Sequence, residues 1–185
     1  KKEGLEKGVE FLGDFMYDSF LKAQDAANHF AFNLSRYNVK QNEFILSTFH
    51  REKTTDNPSN LNEILKTISD FDIPILLPMH PRTKACLEKN GYSMNFSNNL
   101  KIIEPISYLE MMCLIKNCRM VITDSGGLEK EAFWSSKPCM SIRDHSAWPE
   151  TINAGCNILT GLEPVNISKI YESFSKNNFD NFNSL

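Results

Sequence analysis

The chain has 185 residues, 41% apolar and 23% charged, with a formal net charge of −3, which fits one domain with a buried core. Acids and bases are mixed along it, so nothing resembles a basic face for nucleic acid, and any anion binding has to be local. No apolar run approaches a membrane span, no signal peptide opens the chain, and the five cysteines (Cys86, Cys113, Cys118, Cys139, Cys156) form no Cys-x-x-Cys pair; together these predict a soluble, cytoplasmic protein with reduced, packed thiols and no metal centre.

In chain order, Lys1 to Glu10 start abruptly on charged residues, as the middle of a longer protein would. From about Met16 to Leu34, apolar residues recur at helical spacing (Tyr17, Phe20, Leu21, Ala27, Phe30, Ala31), which predicts a helix with its apolar stripe on a sheet. Phe44 to Thr48 is a strand of the buried, parallel type. It ends in Phe49-His50-Arg51-Glu52-Lys53, followed by a polar loop, Thr54 to Ser59, and a helix over Asn60 to Phe71. Ile73 to Met79 is the next strand and ends in His80-Pro81-Arg82; Pro81 suits the first turn of a helix that Gly91 stops. A third strand, Leu100 to Ile103, breaks at Glu104-Pro105, and Ser107 with Glu110 forms a capping box for a helix through Lys116. Met120 to Thr123, Pro138 to Ile142 and Asn157 to Thr160 are three more strands, with an irregular polar stretch, Arg143 to Thr151, before the last. Pro164 to Ser175 is a final helix, and the Asn-rich segment from Lys176 to Leu185 is expected to fray.

Strands and helices thus alternate throughout, which predicts an α/β fold, a Rossmann-like doubly wound parallel sheet. Such sheets bind ligands beyond the carboxyl ends of their strands. The polar residues worth naming follow those ends: His50 and Arg51, His80 and Arg82, Ser125 to Gly127, and Arg143. The central stretch is Met120-Val-Ile-Thr-Asp-Ser-Gly-Gly-Leu-Glu-Lys-Glu-Ala-Phe133, a strand running through Ser125-Gly126-Gly127 into a helix. The first N–H groups of a helix lack intrahelical partners and carry the positive end of its dipole, and glycines let an anion approach the main chain. Ser125 adds a hydroxyl, and Glu131, one turn on, is an acceptor for a sugar hydroxyl beside a bound phosphate. Each residue also has a plainer role. Gly-Gly can be only a tight turn, His50 and His80 can be loop or cap residues, and Arg51 or Arg143 can be paired with Glu52 or Asp144. Asp124 can compete with Ser125 as the cap, and Trp148 suits anchoring its loop better than stacking.

Phe49-His50-Arg51-Glu52, His80-Pro81-Arg82, Glu104-Pro105…Tyr108-Leu109, Thr123-Asp-Ser-Gly-Gly-Leu-Glu-Lys-Glu-Ala132 and Arg143-Asp144…Trp148-Pro-Glu-Thr151…Ala154-Gly155…Asn157-Ile-Leu-Thr-Gly161 occur together in order. This set resembles the C-terminal half of the non-hydrolysing UDP-N-acetylglucosamine 2-epimerases, and Gly13-Asp-Phe-Met-Tyr-Asp18 resembles the entry of that family's chain into its second domain. The resemblance implies one half of a GT-B fold, with residues 1–185 as a single UDP-binding domain and the N-terminal catalytic half missing. It implies that Ser125, Gly126 and Gly127 hold the diphosphate, that Glu131 accepts from the ribose, and that main chain near Ile106 to Tyr108 meets the uracil. His50 would stand at the active site and Arg143 would face phosphate and sugar, with His80 and Arg51 as weaker carry-overs. No cofactor is implied, the partners are a UDP-sugar and the missing half, and the intact enzyme would be a homodimer in surface polysaccharide synthesis. Many members have His-Arg-Arg-Glu where this chain has His50-Arg51-Glu52-Lys53, which leaves the exact sugar and any regulatory second site open. A GT-B glycosyltransferase, a hydrolysing epimerase and a sugar-nucleotide binding module without chemistry remain alternatives.

Overall fold

The computed structural model describes residues 8, 10, 12–97 and 99–176, so the opening residues 1–7 and the tail expected to fray beyond Lys176 lie outside the described residues. Six short strands form one parallel sheet: β1 (Ile45–Thr48), β2 (Ile75–Pro78), β3 (Leu100–Ile103), β4 (Met120–Thr123), β5 (Cys139–Ser141) and β6 (Asn157–Leu159), in the order β3-β2-β1-β4-β5-β6. The helices are α1 (Phe15–His29), α2 (Glu52–Thr55), α3 (Pro58–Ser69), α4 (Pro81–Lys89), α5 (Tyr108–Asn117), α6 (Gly126–Trp134), α7 (Pro149–Asn153) and α8 (Pro164–Lys176). This is the doubly wound, Rossmann-like α/β arrangement that the alternation of elements predicts.

The strands are apolar on both sides, and their period of two sorts alternate residues onto two cores. Ile45, Leu77, Met120, Ile122 and Met140 pack with Leu61, Ile64, Leu65 and Ile68 of α3, Leu87 of α4, and Ile167, Tyr171 and Phe174 of α8. On the opposite face, Leu46, Leu76, Val121 and Cys139 pack with Met112, Leu114 and Ile115 of α5 and Leu128 and Ala132 of α6.

Local chemistry moves several boundaries. The first helix stops at His29 rather than Leu34: Phe30 turns extended, and the Asn33 side chain accepts the Ser35 N–H at 2.9 Å to open a short 3-10 turn, Leu34–Tyr37. A side-chain cap here outcompetes further helix. α1 packs chiefly on α5, and its Phe20 is buried against the Trp134 ring of α6, with centroids 5.2 Å apart, in the core on that face of the sheet. The polar loop after β1 contains α2, and α3 begins at Pro58 behind an Asn57 cap that accepts the Asn60 N–H at 3.1 Å. The stretch expected to be irregular up to Thr151 turns helical at Pro149, where a first-turn proline needs no hydrogen-bond partner. The Ser107–Glu110 capping box forms as expected, with the Glu110 carboxylate accepting the Ser107 N–H at 2.9 Å.

Candidate functional site

The strand order reverses between β1 and β4, and the loops leaving these two strands diverge to open a crevice. The two strands end in register at Thr48 and Thr123, whose hydroxyls are 2.7 Å apart. One residue on, Asp124 is fully buried and does not cap α6. Its carboxylate crosses to the end of β1 and accepts the backbone N–H of His50, at 3.0 and 3.1 Å to its two oxygens, and that of Arg51 at 2.9 Å. A carboxylate buried without partners would be very costly; here two main-chain donors satisfy it and lock the course of residues 50–51.

Ser125 is the cap of α6, accepting the Leu128 N–H at 3.4 Å. Behind it, Gly126 is hemmed in on three sides. A β-carbon there would lie 3.2 Å from Nη1 of Arg143, 3.3 Å from Nη2 of Arg51 and 3.3 Å from Nε1 of Trp148. A side chain at this position would press on all three groups, and two guanidinium groups meet at the positive end of a helix. Among the described residues, Arg51 has no carboxylate partner; Glu52 pairs instead with Arg82 at 3.6 Å and Asp144 with Lys53 at 3.6 Å. A guanidinium with no carboxylate partner beside the first N–H groups of a helix is an arrangement that can receive an anion.

Arg143 does have a partner, though not the neighbour considered from sequence. It is held by Glu129, a fully buried acid of α6, at 3.2 Å. Glu129 also accepts from the hydroxyls of Ser141, at the end of β5, and Ser146, the latter at 2.6 Å. Ser146 in turn accepts the Trp148 N–H at 3.0 Å, and the Trp148 indole donates to the Gly126 carbonyl at 2.8 Å, so the tryptophan anchors its loop to the turn. Lys130, bonded to Asp14, lies 3.9 Å from the Trp148 ring centroid and 4.9 Å from that of Trp134.

The crevice has two lobes. A charged cavity of about 460 Å³ is lined by His50, Arg51, Lys53, Arg82, Arg143 and His145 together with the acids Glu52, Asp124 and Asp144. An apolar cavity of about 340 Å³ is lined by Pro78, Met79, Pro105, Ile106, Met111 and Glu131, with His50, His80, Ser125 and Gly127 on its rim toward the first. His50 belongs to both. Its ring stacks on that of His80 with centroids 5.0 Å apart, and burial, more than the cationic neighbours, holds its pKa below the ordinary imidazole value against the pull of Asp124. His80 caps α4 through Nδ1, which accepts the Arg82 N–H at 3.1 Å. Glu131 is buried, which pushes its carboxyl pKa up, and it accepts the Tyr108 hydroxyl at 2.7 Å. Burial and that bond also raise the Tyr108 phenol.

The structure thus brings Ser125, Gly126, Gly127, Glu131, Arg143, Arg51, His50, His80 and Ile106 onto the walls of one crevice. Tyr108 stands behind, its hydroxyl on Glu131. Two supporting residues have no sequence signal for these roles. Asp124 reads there only as a cap, and Glu129 only as an acid in a first helical turn, where the dipole alone accounts for it.

The model of the UDP-N-acetylglucosamine 2-epimerase family matches residues 1–184. A UDP-N-acetylglucosamine 2-epimerase homolog of Methanococcus maripaludis is 40% identical over 96% of this chain and 50% of its own length. The UDP-2,3-diacetamido-2,3-dideoxy-D-glucuronate 2-epimerase of Pseudomonas aeruginosa is 38% identical over 87% of this chain and 45% of its own. Among solved structures, the Methanocaldococcus jannaschii UDP-GlcNAc 2-epimerase in complex with UDP-GlcNAc and UDP superposes with a TM-score of 0.82 at 32% identity, covering 93% of this chain and 49% of that one. The chain spans about half the length of the curated relatives it matches and corresponds to their C-terminal half, one of the two halves of a GT-B fold. By sequence along nearly its whole length and by fold, the chain belongs to the UDP-N-acetylglucosamine 2-epimerase family.

Proposed function

We propose that this chain is the UDP-binding half of a non-hydrolysing UDP-N-acetylglucosamine 2-epimerase, completed by an N-terminal half that supplies the carboxylates for proton transfer. In this reading residues 1–185 act as one nucleotide-binding unit of a cytoplasmic homodimer that serves surface polysaccharide synthesis. The observation that carries it is the meeting of Arg51 and Arg143 over Gly126 at the start of α6, beside an apolar lobe with one buried acid. The charged lobe takes the diphosphate and sugar, on Ser125, Gly126, Gly127, Arg51 and Arg143. The apolar lobe takes the nucleoside, with Glu131 on the ribose hydroxyls and Ile106 and the main chain toward Tyr108 on the uracil. His50 and His80 stand at the junction, where the bond between sugar and phosphate lies.

Epimerisation at C2 removes the C2 proton and expels UDP to leave a glycal, then returns UDP after reprotonation from the other face. When the bond from C1 to the phosphate oxygen breaks, its electrons stay on that oxygen. The helix terminus and two arginines are already oriented toward that charge, so they stabilise the transition state without rearranging. His50, held neutral by burial, is suited to hydrogen-bond the departing oxygen or the sugar without adding a fixed charge.

Calorimetry with UDP tests the binding claim. The wild type should bind, and Glu131→Ala should bind at least about tenfold more weakly, the loss of a charge-assisted bond to the ribose; equal affinities would remove Glu131 from the ribose. With the complete enzyme, UDP-N-acetylmannosamine as product supports the proposal, whereas free N-acetylmannosamine with UDP, or transfer of the sugar to an acceptor, overturns it. The present chain alone should show no turnover.

A further inference from the structure

Glu129 has no solvent exposure, yet its side chain bonds to Arg143, which lines the charged lobe, and to Ser141 and Ser146, which lie within three residues of that arginine in the chain. From one turn into α6 it reaches the end of β5 through Ser141, the guanidinium of Arg143, and the loop residue Ser146, which carries on to Trp148 and the carbonyl of Gly126. Strand β5 and two positions of the loop that follows it thus meet at one carboxylate of α6. The Arg143 nitrogen that Glu129 binds is the same Nη1 that stands 3.2 Å from the β-carbon position of Gly126. The acid thus sets where the guanidinium lies relative to the turn while leaving the remaining guanidinium N–H donors for a ligand. An exposed arginine would swing through many rotamers and lose that freedom on binding; one held in place has already lost it.

We propose that Glu129 is a positioning residue for the anion site, acting through Arg143 and the loop of residues 143–148 and never touching the ligand. The role rests on the reading of the turn as a diphosphate site. It predicts selectivity: Glu129 supports binding of the diphosphate in the charged lobe and is indifferent to the nucleoside in the apolar one. It also differs from that of Asp124, which fixes main chain rather than a ligand-binding side chain.

The test is a double-mutant cycle on this chain, with UDP titrated by calorimetry and uridine by NMR shifts. Glu129→Gln keeps the size of the side chain but removes its charge and turns one acceptor oxygen into an amide donor. It should weaken UDP about tenfold and leave uridine unchanged within about twofold. Arg143→Gln should weaken UDP at least as much, and adding Glu129→Gln to it should change UDP affinity by no more than about twofold, because the acid then has nothing to position. Ser146→Ala, a milder change in the loop, should weaken UDP about threefold and provides the same test should Glu129→Gln fail to fold. Unchanged UDP binding in Glu129→Gln or Ser146→Ala overturns the role, as does an equal loss of uridine, or a Glu129→Gln effect that persists in full in the Arg143→Gln background. A wild-type chain that binds no UDP overturns both this role and the reading beneath it, which separates that failure from the others.

Discussion

The charged and apolar lobes share His50, and the Ser125-Gly126-Gly127 turn gives Ser125 and Gly127 to the apolar lobe while Gly126 sits against Arg51 and Arg143 of the charged one, but the lobes are held in shape by different means. In the charged lobe, two buried acids hold the main chain and one of the arginines. Asp124 spans 74 and 73 residues to the main chain of His50 and Arg51, and Glu129 holds Arg143. In the apolar lobe, Pro78, Pro81 and Pro105 set the backbone through their own rings, and one acid, Glu131, is buried with a single tyrosine donor. A wall of charge needs long-range partners because an unpaired buried cation or anion is too costly to keep, whereas an apolar wall needs only local backbone restriction and shape.

The largest way to break this contrast is Asp124→Ala. It leaves buried N–H groups at His50 and Arg51 without an acceptor and should cost ~3 kcal/mol, seen as a fall of roughly 10 °C in thermal melting. A melt within a degree or two of wild type would mean that the acid does not hold the charged lobe together. Next in size is Arg51→Ala. Its side chain is exposed and has no carboxylate partner among the described residues, so stability should hold while UDP affinity falls about tenfold and uridine affinity does not move. Loss of both ligands together would place Arg51 in the fold rather than in the anion site.

The pH dependence is smaller and has opposite signs in the two lobes. The His50 pKa is lower folded than unfolded, so the unfolded chain binds the proton first as the solution is acidified. This contribution to stability is intact above the ordinary imidazole pKa of about 6.5 and is lost as pH falls from there through the lowered value. Glu131 has its carboxyl raised by burial, so its contribution is present below the ordinary carboxylate range and is lost as pH rises through the raised value. Melting curves at pH 7.5 and 5.5 should show a smaller acid-side loss in His50→Gln than in wild type. The smallest effect belongs to Tyr108→Phe, which removes one hydrogen bond from a half-exposed ring; it should cost about 1 kcal/mol or less and change UDP affinity less than threefold.

What could be read in the sequence follows from how far each residue's partners lie along the chain. The Ser125 cap, the glycine pair and the capping box at Ser107 are local, each defined within about four residues, and they form as expected. The sheet was also legible, because a buried strand shows itself as a short apolar run and six such runs alternate with helical patterns. Arg51 and Arg143 were marked by their places after β1 and β5, but their states were not. Nothing local tells that Glu52 goes to Arg82 while Arg143 goes to a buried acid fourteen residues back. Asp124 looked like a cap because a cap is the commonest use of Asp before a helix, and a tertiary partner on β1 overrode that preference. The first helix is shorter than its apolar spacing predicts for the converse reason: that spacing continues past His29, while a single Asn33 hydrogen bond, invisible to periodicity, opens a new turn.

The cluster around Lys130 has a practical consequence. The chain contains two tryptophans, and both place their rings against the same ammonium. One of them, Trp148, also donates to the carbonyl of Gly126, so an indole is bonded directly to the turn proposed to receive phosphate. Any shift of that turn changes the charge and hydrogen bonding felt by a native chromophore. The protein therefore carries its own optical reporter of the turn, and its intrinsic fluorescence gives a label-free measure of occupancy there.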